Sequence, residues 1–189
     1  NSGKIFDTIK NLGIEDNTIV IWASDHGPSP EYPHGATGYW RAGRGLEGAI
    51  RTAFMVRWPN NIAPAGVNNE IVHMTDILPT LAQVAGYKVP NDRPIDGIDQ
   101  MDFFVGQQEN SNREDIPVFF NNKLYAYKWR NWKFHFSERN NANDHVELGL
   151  YNLLIDPTEE HPMGREVWWV HEVLGEKMRK LRSSLQEEE

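Results

Sequence analysis

Apolar residues recur at helical spacing in the first dozen positions. Ile5, Phe6, Ile9 and Leu12 fall on one face over residues 3 to 12, and Gly13 supplies a stop. The pattern then changes. "TIVIWAS" (18 to 24) is a β-branched run without polar alternation, which predicts a strand covered on both faces, as in a parallel sheet flanked by helices. Residues 28 to 48 are rich in Gly and Pro and predict a long functional loop. "TAFMVRW" (52 to 58) predicts a second strand. "TDILPTLAQVAG" (75 to 86) predicts a helix capped by Thr75 or Asp76, with Pro79 in its first turn and Gly86 at its end.

Beyond residue 105 the text is aromatic and short-ranged. "IPVFF", "LYAYKW", "WKFHF" and "LYNLL" are separated by turn-like "NN", "RN" and "RNNANDH", which predicts an antiparallel meander. The tail from Glu166 onward predicts an amphipathic helix carrying the Trp168–Trp169 pair, which should anchor it and could contribute to an interface. Helix, strand, loop, strand, helix is α/β grammar, with the meander following it.

Composition narrows the classes. Seven Trp, eight Phe and six Tyr in 189 residues argue against disorder. The net charge of -8, with no Lys/Arg block, argues against nucleic acid or an anionic membrane as partner. No run approaches the roughly 18 apolar residues that span a bilayer. With no cysteine, disulfides, zinc-thiolate sites and a cysteine nucleophile are excluded from this chain. The first residues lack a signal-peptide layout and an initiator Met, so the sequence begins as though cut from something longer.

The candidate chemistry lies in "VIWASDHGPSP" (20 to 30). Ligands of open α/β sheets bind at the carboxyl ends of strands, and Asp25 and His26 follow the first strand directly. A carboxylate beside an imidazole can hold a divalent cation or act as acid and base. From these residues alone a turn with a surface histidine is the more ordinary description of the corner, because turn-forming Asp is common after strands.

Several stretches occur in one order: "ASDHGPSPEYPHG", "YWRAGRGLEGAIRTAF", "HMTDILPTLAQVAG", "IDGIDQMDFF" and "LYNLLIDPTEE". Together they resemble the C-terminal portion of a sulfatase of the alkaline-phosphatase-like superfamily, with a bacterial arylsulfatase flavour. The resemblance implies an α/β fold: residues 1–105 as the C-terminal part of a mixed sheet flanked by helices, and 106–189 as a small antiparallel sheet with a C-terminal helix. It implies that Asp25 and His26 are two ligands of a Ca²⁺ ion whose site is completed by residues of an N-terminal part. It also implies a formylglycine nucleophile, made from Cys or Ser in a C/S-x-P-S-R motif, which attacks sulfur. That motif is absent here, so the chain alone is expected to be inactive. Its partners would be a sulfate ester, and either the N-terminal part of the same enzyme or a second copy.

In "RAGRGLEGA" (41 to 49) Arg44 is the best match to the family lysine that contacts sulfate, with Arg41 as competitor; Ala49 stands where the family has a second Gly. An Arg there would hold the leaving oxygen but hardly protonate it, so His34 is the candidate proton donor. Glu47 and Arg51 are expected to hold the loop, as an ion pair. His73 is expected to be structural, Asp76 a helix cap, and Asp96 and Asp99 a turn. "KWRNWKFHF" interleaves bases with aromatics as single-strand binders do, but its period-two alternation predicts one buried and one solvated face. Two other functions fit the same text: a phosphodiesterase or phosphonate monoester hydrolase of the superfamily, and a non-catalytic remnant acting as an interaction module. The compartment stays open; periplasmic or secreted would follow the family.

Overall fold

A computed structural model describes residues 2–27, 45–64, 66–120, 123–138 and 145–186. In chain order the elements are α1 (Ser2–Asn11), β1 (Val20–Ala23), α2 (Glu47–Ile50), β2 (Phe54–Arg57), α3 (Ile77–Val84), α4 (Met101–Phe104), β3 (Asp115–Phe120), β4 (Lys123–Trp129), β5 (Trp132–Glu138), β6 (His145–Asn152) and α5 (Trp168–Gln186). They form two units. One comprises Asn1–Ala23 and Ala53–Glu114; the other comprises Ser24–Thr52 and Asp115–Glu189. The mixed α/β architecture is the one expected of the sulfatase-like portion.

In the first unit, α1 and α3 stop where the glycines predict. Gly13 (φ 68°) and Gly86 (φ 74°) take the left-handed conformation. In each case two backbone bonds close the end: Ile14 N to Ile9 O and Gly13 N to Lys10 O, then Tyr87 N to Ala82 O and Gly86 N to Gln83 O. β1 departs from the expectation of a parallel strand covered on both faces. It pairs antiparallel with β2, Trp22 opposite Met55, and both of these side chains are about half exposed. A β-branched run specifies a strand but not the direction or cover of its neighbour, which the intervening thirty residues decide. Ile5 and Leu12 of α1 are likewise exposed.

The interior of this unit is polar. Asp76 stands at the N-cap position of α3 as expected, but its carboxylate accepts no N–H of that helix and instead completes a capping box with His73 at the turn leading into it. It accepts from His73 N (2.9 Å), Ile98 N (2.8 Å) and Gln100 Nε2 (3.3 Å), and from Arg113 through Nε (2.9 Å) and Nη2 (2.5 Å). This hub ties the turn before α3 to the loop before α4 and to residue 113.

In the second unit, β3-β4-β5-β6 form the expected antiparallel meander. Trp132 and Phe136 of β5 pack with Leu124, Tyr127 and Leu150 against Val170, Leu174 and Met178 of α5. Alternation places Trp132, Phe134 and Phe136 on this face and Lys133 and His135 on the other. Trp169 meets Trp129 and Trp132 edge-on, at centroid distances of 6.4 and 5.8 Å, which anchors α5 as expected; Trp168 is exposed.

Candidate metal-binding corner

β1 delivers the chain to Ser24, Asp25 and His26, whose side chains are open: the imidazole of His26 is 63% exposed and the carboxylate of Asp25 83%. Asp25 Oδ1 accepts from the backbone N–H of His26 at 3.0 Å, which leaves Oδ2 outward. His26 Nδ1 lies 2.7 Å from the carbonyl oxygen of Gly27. A carbonyl only accepts, so Nδ1 carries a proton, and in the neutral ring Nε2 keeps its lone pair. That nitrogen lies 3.5 Å from Asp25 Oδ2. One carboxylate oxygen and one imidazole nitrogen therefore converge, with the tautomer fixed by a backbone acceptor in the way metal-binding histidines are oriented. The pair fits a divalent cation as two of its ligands. Among the described residues no third His, Cys, Asp or Glu joins them.

Behind the corner lies α2. Gly27 N donates to Ala49 O at 2.7 Å, and Gly27 is buried. A Cβ on Gly27 would stand 1.9 Å from Gly48 O, so only glycine admits this approach. The expected loop of 28 to 48 thus ends in a short helix that starts at Glu47.

Glu47 opens a charge cluster that the alternation in "KWRNWKFHF" conceals. The face of β5 expected to be solvated is sealed: Lys133 is fully buried and His135 nearly so, because Glu47 and Glu159 cover them. Glu159 Oε1 accepts from His135 Nε2 (2.5 Å) and lies 3.1 Å from Lys133 Nζ; its Oε2 accepts from the backbone N–H of Glu47 (2.5 Å). The Glu47 carboxylate in turn accepts from Lys128 Nζ (2.5 Å) and lies 3.6 Å from Lys133 Nζ. Lys128 and Lys133 face each other directly across β4 and β5, a like-charge pairing that the carboxylate between them offsets. Neither Lys133 Nζ nor Glu47 Oε2 has an aligned hydrogen bond. Burial alone would raise the pKa of Glu159, but the His135 hydrogen bond and the Lys133 charge bring it below the ordinary glutamate range. Burial lowers that of Lys133, against the opposing pull of Glu159 and Glu47. The signal that could have found the cluster was present: Lys133 and His135 at spacing two, and acids in both "LEGA" and "DPTEE".

Of the other expected residues, His34, Arg44 and the competitor Arg41 lie outside the described residues. His73 is structural: its Nδ1 accepts from Thr75 N at 3.3 Å, and burial lowers its pKa. Asp96 and Asp99, expected in a turn, lie in irregular chain instead, Asp96 O accepting from Arg113 Nη2 (2.7 Å) and Asp99 Oδ1 from Met101 N (2.9 Å). Glu47 pairs with Lys128 in the cluster above; Arg51 is exposed.

The comparisons with known proteins bear directly on this corner. The family model described as Sulfatase matches residues 3–87, which include β1, the corner, α2, β2 and α3. Steryl-sulfatase of Mus musculus is 35% identical over 198 residues, covering 87% of this chain and 32% of that protein. The chain belongs to the sulfatase family. Arylsulfatase of Hemicentrotus pulcherrimus is a further relative, 34% identical over 152 residues, or 78% of this chain and 27% of its own length. Among solved structures, the PsFucS1 sulfatase from Pseudoalteromonas sp. superposes with a TM-score of 0.79 at 27% identity, over 96% of this chain and 40% of that one. This sulfatase-family chain thus spans about a third of the length of the curated relatives it matches.

Proposed function

We propose that this chain is part of a sulfuric ester hydrolase of the arylsulfatase kind, and that Asp25 and His26 supply two ligands to its calcium ion. The observation that carries this reading is the convergence of Asp25 Oδ2 and His26 Nε2 at 3.5 Å in a sulfatase-family chain. A bound Ca²⁺ would neutralise charge on a sulfate oxygen. The chain's own contribution is orientation: Gly27 O holds the imidazole with Nε2 outward, and the N–H of His26 fixes the carboxylate rotamer. In this reading the nucleophile is a formylglycine carried by an N-terminal part of the same enzyme, since no C/S-x-P-S-R occurs in these residues. Exposed Ile5, Leu12, Trp22 and Met55 support packing against that part. Among the described residues no helix is long and apolar enough to cross a membrane.

The test pairs two measurements. The chain by itself, given Ca²⁺ and an aryl sulfate, should show no turnover above background. The chain combined with a formylglycine-bearing complement should hydrolyse aryl sulfate, and Asp25→Asn together with His26→Ala should abolish that activity. Faster cleavage of a phosphate diester than of the sulfate by the same complex would favour a phosphodiesterase. Activity unaffected by the double substitution would remove the corner from the reaction.

A further inference from the structure

Beyond the two ligands, the second unit contains a buried carboxylate that the proposed reaction does not use. We propose that Glu159, held by Lys133 and His135, is a positioning residue that sets the Asp25–His26 corner through the backbone of α2. The two oxygens of Glu159 face opposite ways. Oε1 is occupied by the His135 ring and the Lys133 ammonium, both on the sealed face of β5. Oε2 takes the first N–H of α2, that of Glu47, at 2.5 Å. From there the connection is short and rigid. α2 runs from Glu47 to Ile50; Ala49 O accepts from Gly27 N; and Gly27 O accepts from His26 Nδ1. The absence of a Cβ on Gly27 lets Gly48 O pack directly against it, so movement of α2 is passed to the corner by contact as well as by hydrogen bond.

The charges around Glu159 make this a stiff anchor. The groups facing it are Lys133 and His135 of β5 and the Glu47 carboxylate on the α2 side, with Lys128 of β4 beyond Glu47. The His135 ring is also gripped edge-on by Tyr125 and Tyr151, at 5.3 and 5.4 Å. Both partners of Oε1 are therefore immobilised by the sheet, and Oε2 presents a charged acceptor to α2 in a site without water-exposed alternatives. A ligand imidazole is only as well oriented as the groups that hold its other nitrogen.

The inference rests on the metal reading of Asp25 and His26 for its functional meaning, whereas its test reads the corner itself. In Glu159→Gln, kept folded as judged by circular dichroism, hydrogen exchange at the Gly27 amide should rise at least about tenfold, while that at Ala126 of β4 stays within about twofold. The side-chain ¹⁵N shifts of His26 should move from a fixed Nδ1–H tautomer toward a tautomer mixture. Asp76→Asn, an equally buried carboxylate change in the other unit, should lower stability yet leave both signals alone. Unchanged Gly27 exchange and an unchanged His26 tautomer in Glu159→Gln overturn the proposal. Should that variant not fold, the unsubstituted chain decides: in denaturant-dependent exchange the Glu47 and Gly27 amides should open with one common slope, and independent opening of Gly27 overturns it. Absence of Ca²⁺-induced shifts at Asp25 in the chain combined with its formylglycine-bearing complement would instead sink the metal reading, with the positioning link standing.

Discussion

Asp76 and Glu159 are both carboxylates sealed from solvent, one in each unit, and they are neutralised in different ways. Asp76 meets one cation, Arg113, in a forked pair, and backbone and amide N–H groups take its remaining lone pairs. Glu159 meets an ammonium and an imidazole, shares the ammonium with Glu47, and leaves Lys133 Nζ and Glu47 Oε2 without aligned hydrogen bonds. A planar guanidinium matches a carboxylate geometrically, whereas an ammonium is a point charge that two acids can share. The first arrangement is saturated and ties loops together. The second keeps one oxygen for α2, which is what connects it to the corner.

The comparison can be tested by removing groups. The largest effect is expected from Asp76→Ala, which leaves the Arg113 guanidinium buried without its partner: the urea midpoint should fall by the equivalent of about 3–5 kcal/mol. A paired replacement separates the two clusters more finely. Lys133→Met with Glu159→Leu should recover part of the stability lost in either single variant, because apolar isosteres of a buried ion pair often break even while the N–H groups of Glu47 and His135 still lose their acceptor. Arg113→Met with Asp76→Leu should recover little, since the N–H groups of His73 and Ile98 lose their acceptor at about 1–3 kcal/mol each. Equal recovery in the two units would show that their wiring does not differ in kind.

Acid should weaken both clusters. Burial alone would raise the pKa of Asp76, but the Arg113 hydrogen bonds and the N–H groups of Ile98 and His73 bring it below its ordinary value, as His135 and Lys133 do for Glu159. A carboxylate with a depressed folded pKa stabilises fully above its unfolded value and loses that contribution as pH falls through the folded one. The contribution of these two carboxylates to the denaturation midpoint should therefore be flat near neutrality and drop below about pH 4, where unfolded carboxylates begin to protonate. Glu159→Gln should reduce the size of that drop. At the small end, Glu176→Gln breaks an exposed ion pair with Lys180 (2.8 Å) on α5, and no measurable change in midpoint is expected.

Much of the architecture was readable one residue at a time. Ile5, Phe6, Ile9 and Leu12 with Gly13 encode α1 and its stop, and the aromatic runs encode the meander. Asp25 and His26 were readable as a pair of candidate ligands because they follow a strand. Less readable were the polar interiors. Asp76 looks like a helix cap because local text shows a helix start, and nothing local reveals that Arg113 returns to it. Lys133 and His135 look solvated because alternation gives the two faces of a strand without saying what covers either.

The sequence by itself determined α1, α3, α5 and the strands, the ends of α1 and α3, the α/β class, the family and the residue types at the corner, since all of these depend on spacing, turn chemistry or motif order. The tertiary structure alone decided that Glu159 reaches the N–H of Glu47, 112 positions away in the chain, and that β1 pairs antiparallel with β2. Those contacts depend on how distant segments return to one another, and desolvation of a charge is fixed only when the covering group has arrived.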